Sequence, residues 1–85
     1  PAAPTARRKL SFKEARELAA LPEAITALES EQRALTARMC EPQYFREGAE
    51  RMRSDRARAA EIETQLSARL ERWEYLESQA SASAD

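Results

Sequence analysis

Two apolar stripes with helical spacing, separated by a short segment that breaks helices, constrain this chain more than any other feature. The first stripe repeats at alternating intervals of four and three residues and comprises Leu21, Ile25, Leu28, Gln32, Leu35 and Met39. The second comprises Met52, Ala59, Ile62, Leu66, Leu70 or Arg69, Trp73 and Leu76. This spacing places each stripe along one side of a helix. Residues 41–48 contain a proline and the single glycine, which predicts a turn. The pattern therefore predicts two long helices that pack side by side in opposite directions.

Folding the chain about residues 45–46 predicts how the two stripes meet. Opposed position numbers then add up to roughly 91 in an antiparallel pair with a short connection. Leu28 faces Ile62 in this register, and Leu18 faces Trp73. At the open end of the hairpin, we expect Trp73 to pack against Leu18 and the region of Phe12, because a large aromatic side chain needs an apolar partner.

Helix start and stop signals divide the N-terminal part of the chain. Ser11 and Glu14 have the spacing of a capping box, which predicts a short helix from Phe12 to about Ala20. Pro22 lacks an N–H group and disfavours helical dihedral angles at the residue before it, which predicts a break there. The expected fold is thus all-α, a two-helix antiparallel coiled-coil hairpin with a short N-terminal helix packed at its open end.

Composition predicts three segments. Residues 1–9 contain two prolines, small residues and then positive charge, which predicts a flexible basic linker. Residues 10–78 carry the periodic pattern and form the expected hairpin domain. Residues 79–85 are small, polar and without periodicity, which predicts a disordered tail.

The same composition argues against an enzyme. The chain has no histidine, one cysteine and one glycine, so it lacks the residues for the usual nucleophile–base pairs and phosphate-binding loops. We therefore expect no catalytic residues, no metal site and no cofactor. No apolar run approaches the roughly 20 residues that cross a bilayer, so we expect no membrane contact. The lone Cys40 cannot form an internal disulfide, and a cytoplasmic location is expected.

Positive charge is concentrated in two short stretches, which a net charge of −1 conceals. The first stretch follows the N-terminal linker into the predicted helix and consists of Arg7, Arg8, Lys9, Lys13 and Arg16. The second lies just after the turn and consists of Arg51, Arg53, Arg56 and Arg58. Clustered cations of this kind bind phosphate groups of nucleic acids with little dependence on sequence. Alternatively, the second stretch is solubilising charge that pairs with Glu47 and Asp55 along the helix.

Several motifs resemble one protein family. The motifs that carry the resemblance are Lys9-Leu10-Ser11-Phe12-Lys13-Glu14, the Leu21-Pro22 junction, the Glu41-Pro42-Gln43-Tyr44-Phe45 turn and the closing run Glu71-Arg72-Trp73-Glu74-Tyr75-Leu76-Glu77. Together they resemble the C-terminal domain of Uup-type ABC-F ATP-binding-cassette proteins, over about residues 8–78. The resemblance implies a coiled-coil hairpin that binds DNA as an accessory domain of a cytosolic ATPase, whose two tandem cassettes lie outside this chain.

The resemblance also leaves other partners open. Some ABC-F proteins act on the ribosome, so RNA or ribosome contact is a second expectation. A protein-interaction arm that touches no nucleic acid is the third. Because internal pairing uses the one apolar stripe of each helix, we expect a monomer.

Overall fold

The structure, a computed structural model, describes residues 9–83 and contains two long helices. Helix α1 spans Phe12–Met39 and helix α2 spans Ala49–Ser83, with a single turn of 3₁₀ helix at Tyr44–Glu47 between them. The helices pack against each other in opposite directions, and the described part of the chain measures 59 × 23 × 18 Å. The predicted all-α antiparallel hairpin is confirmed.

Helix α1 begins with the predicted capping box. The backbone N–H of Glu14 donates to Ser11 Oγ over 3.0 Å, and the backbone N–H of Ser11 donates to Glu14 Oε1 over 3.0 Å. These two bonds satisfy backbone donors that have no partner inside the helix. The start of the helical part of the domain is therefore fixed by local sequence.

The predicted break at Pro22 is absent, because α1 continues through it to Met39. Proline inside a helix removes one backbone hydrogen bond and costs about 3 kcal/mol. Leu21 on one side is buried and Ile25 on the other is half-buried, while the ring of Pro22 is exposed. Packing of the flanking apolar residues against α2 outweighs the local cost, so the expected short N-terminal helix forms the first turns of α1.

The core follows the predicted stripes and register. Leu28 and Leu35 of α1 form a buried cluster with Ile62 of α2, which is 0% exposed. Partly buried Met39, Ala59 and Leu66 pack around it. Burying such side chains contributes about 1.5–3 kcal/mol each, which makes this stripe the main source of stability.

The turn uses the single glycine at a position that requires it. Gly48 has φ 97° and ψ 158°, a conformation that side chains with a Cβ rarely adopt. It directly precedes Ala49, the first residue of α2. Within the turn, Tyr44 is buried whereas Phe45 is 65% exposed.

At the open end, the structure differs from the sequence-based expectation in two respects. Phe12 is 72% exposed, so the predicted packing of Trp73 on the Phe12 region is wrong. Trp73 is half-buried and lines a groove on the side of the hairpin with Pro22, Ile25 and Leu70. Leu76, at 0% exposed, is the buried apolar residue of α2 nearest this end.

The second difference concerns the predicted tail. Helix α2 extends to Ser83 rather than ending near residue 78. Gln79 and Ala80 are partly buried, and each residue added to an existing helix gains a backbone hydrogen bond without a new nucleation cost.

Neither of the two helices in residues 9–83 has an apolar stretch long enough to cross a membrane.

Candidate nucleic-acid interface

Three predicted cations lie close together at the open end of the hairpin. Lys9, Lys13 and Arg16 are all exposed, and none of them makes an ion pair with another described residue. We refer to these three residues as the open-end cluster. Arg7 and Arg8, the other predicted members of this stretch, lie outside the described residues.

An aromatic ring lies within the open-end cluster. Phe12 and Arg16 are one helical turn apart, and the guanidinium carbon of Arg16 lies 5.7 Å from the centre of the Phe12 ring. Phe12, Lys13 and Arg16 line one shallow depression of the surface. The sequence does not predict this combination of an exposed ring with unpaired cations, because its pattern favours packing of Phe12 inside the hairpin.

A cross-helix ion pair lies beside the cluster. Arg72 donates to both carboxylate oxygens of Glu17, over 2.8 and 3.0 Å. Hydrogen bonding from Arg72 lowers the pKa of Glu17, and the positive charge of Lys13 adds a smaller effect in the same direction. Glu17 thus has Arg72 as its ion-pair partner, and Lys13 acts on it only through its charge.

The four predicted arginines after the turn differ in their ion-pair partners. Arg58 is held by two carboxylates: its Nε and Nη2 donate to Glu31 over 2.6 Å each, and its Nη1 donates to Glu61 over 2.5 Å. These bonds raise the pKa of Arg58 and lower the pKa of Glu31. Arg58 therefore links α2 to α1, and phosphate would have to compete with two carboxylates for it.

The remaining three arginines of that stretch differ from one another. Arg53 pairs with Glu50 over 2.9 Å, and Arg51 Nε lies 3.7 Å from a carboxylate oxygen of Asp55. Arg56 is exposed and makes no ion pair within the described part of the chain. Of the two partners expected from the sequence, Glu47 and Asp55, only Asp55 lies beside an arginine of this stretch, Arg51, whereas Arg53 and Arg58 pair with other carboxylates.

A buried carboxylate near the turn anchors the two helices and the 3₁₀ turn to one another. Asp55 is 5% exposed; Arg38 donates to its two oxygens over 2.7 and 3.2 Å, and the Tyr44 hydroxyl donates to it over 2.7 Å. The hydrogen bond from Arg38, followed by that from Tyr44, holds the pKa of Asp55 below its ordinary value. Every bond of this group is internal, so it stabilises the hairpin rather than offering a binding site.

Sequence reasoning missed the roles of Arg38 and Arg72, although a signal for them was available. Among residues 9–83, the cross-helix ion pairs are Glu17 with Arg72, Glu31 with Arg58, and Arg38 with Asp55. In each, the position numbers add up to about 91, as expected for opposed residues in this antiparallel pair. A search for opposite charges in that register would have found the cross-helix partners of Arg38, Arg58 and Arg72.

The chain is similar to known proteins over most of its length. The ABC transporter C-terminal domain family matches residues 9–78, which is most of the chain. The chain belongs to this family. As an ABC transporter C-terminal domain, it is 38% identical over 69 residues to the ATP-binding protein Uup of Escherichia coli (strain K12). The aligned region covers 81% of this chain and 11% of that protein. No solved structure matches the chain.

These matches confirm the resemblance that the sequence motifs indicated. The matched range begins at Lys9 and ends at Ser78, so it includes the open-end cluster, the turn and the closing aromatic run. Within residues 9–83, no group of three or more acidic, cysteine or histidine residues could hold a metal ion.

Proposed function

We propose that this domain is a nucleic-acid-binding accessory arm of an ABC-F ATPase, that DNA is its first partner, and that the open-end cluster contacts the phosphates. In this proposal the tandem ATPase cassettes belong to the same protein, which acts in the cytoplasm. Membership of the ABC transporter C-terminal domain family and the similarity to an ATP-binding protein support the link to an ATPase.

The observation that carries the proposal is the difference between the two basic stretches. Lys9, Lys13 and Arg16 are exposed without ion pairs among the described residues, whereas Arg51, Arg53 and Arg58 each lie beside a carboxylate. A cation that gives up no internal partner can neutralise a phosphate and release its counterion, which is the main source of sequence-independent affinity. Arg7 and Arg8, which lie outside the described residues, are proposed as further phosphate contacts.

Arg56 is the member of the second stretch best suited to contribute. It makes no ion pair among residues 9–83, so contact with a phosphate costs no existing interaction. Along α2, Arg56 is separated from the level of the open-end cluster by about 20 residues, or roughly 30 Å at 1.5 Å per residue. A DNA segment lying along the hairpin could reach both places.

Salt dependence of binding tests the proposal. We expect the double variant Lys13→Ala, Arg16→Ala to bind duplex DNA more weakly and to flatten the plot of log affinity against log salt. The slope should fall by up to about 0.9 for each phosphate that the variant no longer neutralises. The measurement is a fluorescence anisotropy titration at several salt concentrations, with ribosomal RNA titrated in parallel to compare the RNA-contacting alternative.

A matched control removes the same charge elsewhere. Arg33 and Arg69 are exposed and make no ion pair in the described part of the chain, so Arg33→Ala, Arg69→Ala also lowers the net charge by two. This control should retain the salt slope of the original protein. Equal weakening of binding in both double variants would contradict a localised site, and a protein that binds neither DNA nor RNA would overturn the proposal.

A protein-interaction arm is the second candidate, and the side groove favours it. Pro22, Ile25, Leu70 and Trp73 line this groove, and Leu70 is 43% exposed there. Leu70→Asp would weaken a protein contact at the groove without touching the open-end cluster. If Leu70→Asp impairs the function of the protein in cells while the double variant Lys13→Ala, Arg16→Ala does not, the protein-interaction arm is the better account.

A further inference from the structure

Phe12 lies at the start of α1 and is not part of the buried core of the hairpin. Its neighbour Leu10 is half-buried, yet the Phe12 side chain is 72% exposed at the first position of α1. The Arg16 guanidinium lies over the ring at 5.7 Å. An exposed ring beside a cation of the same helix offers a flat apolar surface, and its surroundings determine what can stack on it.

The surroundings of Phe12 are net positive: Glu14 and the Arg72-paired Glu17 share a surface depression with Lys9 and Lys13, whereas only cations line the depression at the ring itself. Lys13 follows it directly, Arg16 lies one turn later, and Lys9 lies near the start of the same helix, all without ion pairs among residues 9–83. A flat apolar group attached to a negatively charged chain is therefore the complementary ligand. Nucleic acids have this chemistry where a base is not paired, because a base inside a duplex is already stacked on both faces.

A second ring at the other end of the hairpin serves as a comparison. Phe45 is 65% exposed and the Arg46 guanidinium lies 5.8 Å from its ring, which nearly repeats the geometry at Phe12. However, Glu41 and Glu47 line the same surface depression as Arg46, and Lys residues are absent from this turn. Ring exposure and cation stacking are thus matched at the two ends, while the local charge is opposite.

We propose that Phe12 stacks on an unpaired base of a nucleic-acid strand whose phosphates contact Lys13 and Arg16. This inference rests on the proposed function and adds a preference for unpaired nucleotides over continuous duplex. Affinity for duplex comes from the cations alone, whereas affinity for a single strand comes from the cations together with the ring. Phe45, in an acidic surrounding, takes no part.

Binding to oligonucleotides of equal length tests the assignment. Phe12→Ala should weaken binding of a labelled oligodeoxythymidylate strand by about 5- to 150-fold, the range for removal of one base–aromatic stack. Binding of a blunt duplex should change less than about two-fold, since Phe12→Ala removes no charge. Phe45→Ala is the matched control and should change neither affinity.

Two further measurements distinguish stacking from a general apolar contact. Phe12→Trp should restore single-strand affinity, whereas Phe12→Leu should behave like Phe12→Ala, because only an aromatic ring stacks on a base. The original protein should bind a strand that carries abasic sites in place of its bases more weakly than an intact strand, because no base is present for Phe12 to stack on. Circular dichroism checks that all variants keep their helices.

The outcomes separate this inference from the proposed function. If Lys13→Ala, Arg16→Ala weakens duplex binding but Phe12→Ala leaves single-strand binding unchanged, the phosphate contacts stand and the stacking assignment is overturned. Equal weakening of duplex and single-strand binding by Phe12→Ala also overturns it. A protein that binds neither form of DNA overturns both.

Discussion

Asp55 illustrates how a single residue connects three parts of this small fold. It lies in α2, accepts hydrogen bonds from Arg38 of α1 and from Tyr44 of the 3₁₀ turn, and is almost completely buried. A buried carboxylate is tolerated only when it is paired and its lone pairs are satisfied. Among the described residues no buried side-chain polar atom lacks a partner, so this group is fully satisfied. It fixes the turn relative to both helices.

The pKa of Asp55 predicts a pH dependence of stability. Its folded-state pKa lies below the ordinary 3.8, so the charged form stabilises the hairpin above that pH, and the contribution is lost as pH falls further. Asp55→Asn should be less stable than the original protein at pH 7, and the difference should shrink at acidic pH. Urea unfolding between pH 7 and pH 2 measures both.

The exposed Glu29, which has no ion pair within residues 9–83, provides the control for that experiment. Glu29→Gln should leave the urea midpoint at pH 7 nearly unchanged, as expected for a surface substitution away from any contact. An Asp55→Asn variant that is as stable as the original at pH 7 would show that the buried carboxylate does not hold the turn.

At the scale of the helices, the sequence predicted the features that follow from the periodicity of apolar residues. It missed the features that depend on tertiary contacts. The stripe from Leu21 to Met39 and the register that opposes Leu28 to Ile62 follow from spacing alone. The continuity of α1 through Pro22 does not, because a local rule for proline competes with burial of residues against α2. Cross-helix partners such as Glu31 for Arg58 likewise require the register before they can be found. Local charge density alone therefore did not reveal that Arg51, Arg53 and Arg58 lie beside carboxylates.

Pro22 gives the prediction that belongs to this scale. Because its ring is exposed and its helix continues on both sides, Pro22→Ala should restore one backbone hydrogen bond without creating a cavity. The cost of proline in a helix interior is about 3 kcal/mol. A more flexible unfolded chain offsets about 0.4–1 kcal/mol of it. We expect the free energy of unfolding to rise by about 2 kcal/mol, measured by urea denaturation followed by the helical circular dichroism signal.

The neighbouring Glu23 provides a matched exposed position in the same turn of α1. Glu23→Ala should change the free energy of unfolding by no more than about 0.5 kcal/mol. If Pro22→Ala leaves stability unchanged or lowers it, Pro22 has a packing role in the groove that it lines with Trp73. That result would also strengthen the case for a partner at this groove.

The shape of the whole molecule separates the proposed binding surface from the turn. The described chain is a rod 59 Å long, with the open-end cluster at one end and the Asp55 group near the other. Ion pairs across the helices occur near both ends and between them, at Glu17, Glu31 and Asp55. A two-helix rod has little core for its length. These ion pairs and the apolar stripe of each helix therefore together determine whether the two helices of one chain pair with each other.

Internal pairing predicts a monomer. The apolar stripe of each helix is covered by the other helix of the same chain, and the Arg38–Asp55 and Tyr44–Asp55 bonds connect residues close to the turn. Closing a short loop costs less entropy than bringing two chains together. Sedimentation equilibrium at micromolar concentration should give the single-chain mass of 9.6 kDa. Small-angle scattering should give a radius of gyration near the 18.5 Å of the described residues. Twice the chain mass at every concentration, with a larger radius, would mean that the helices pair between chains and straighten at Gly48.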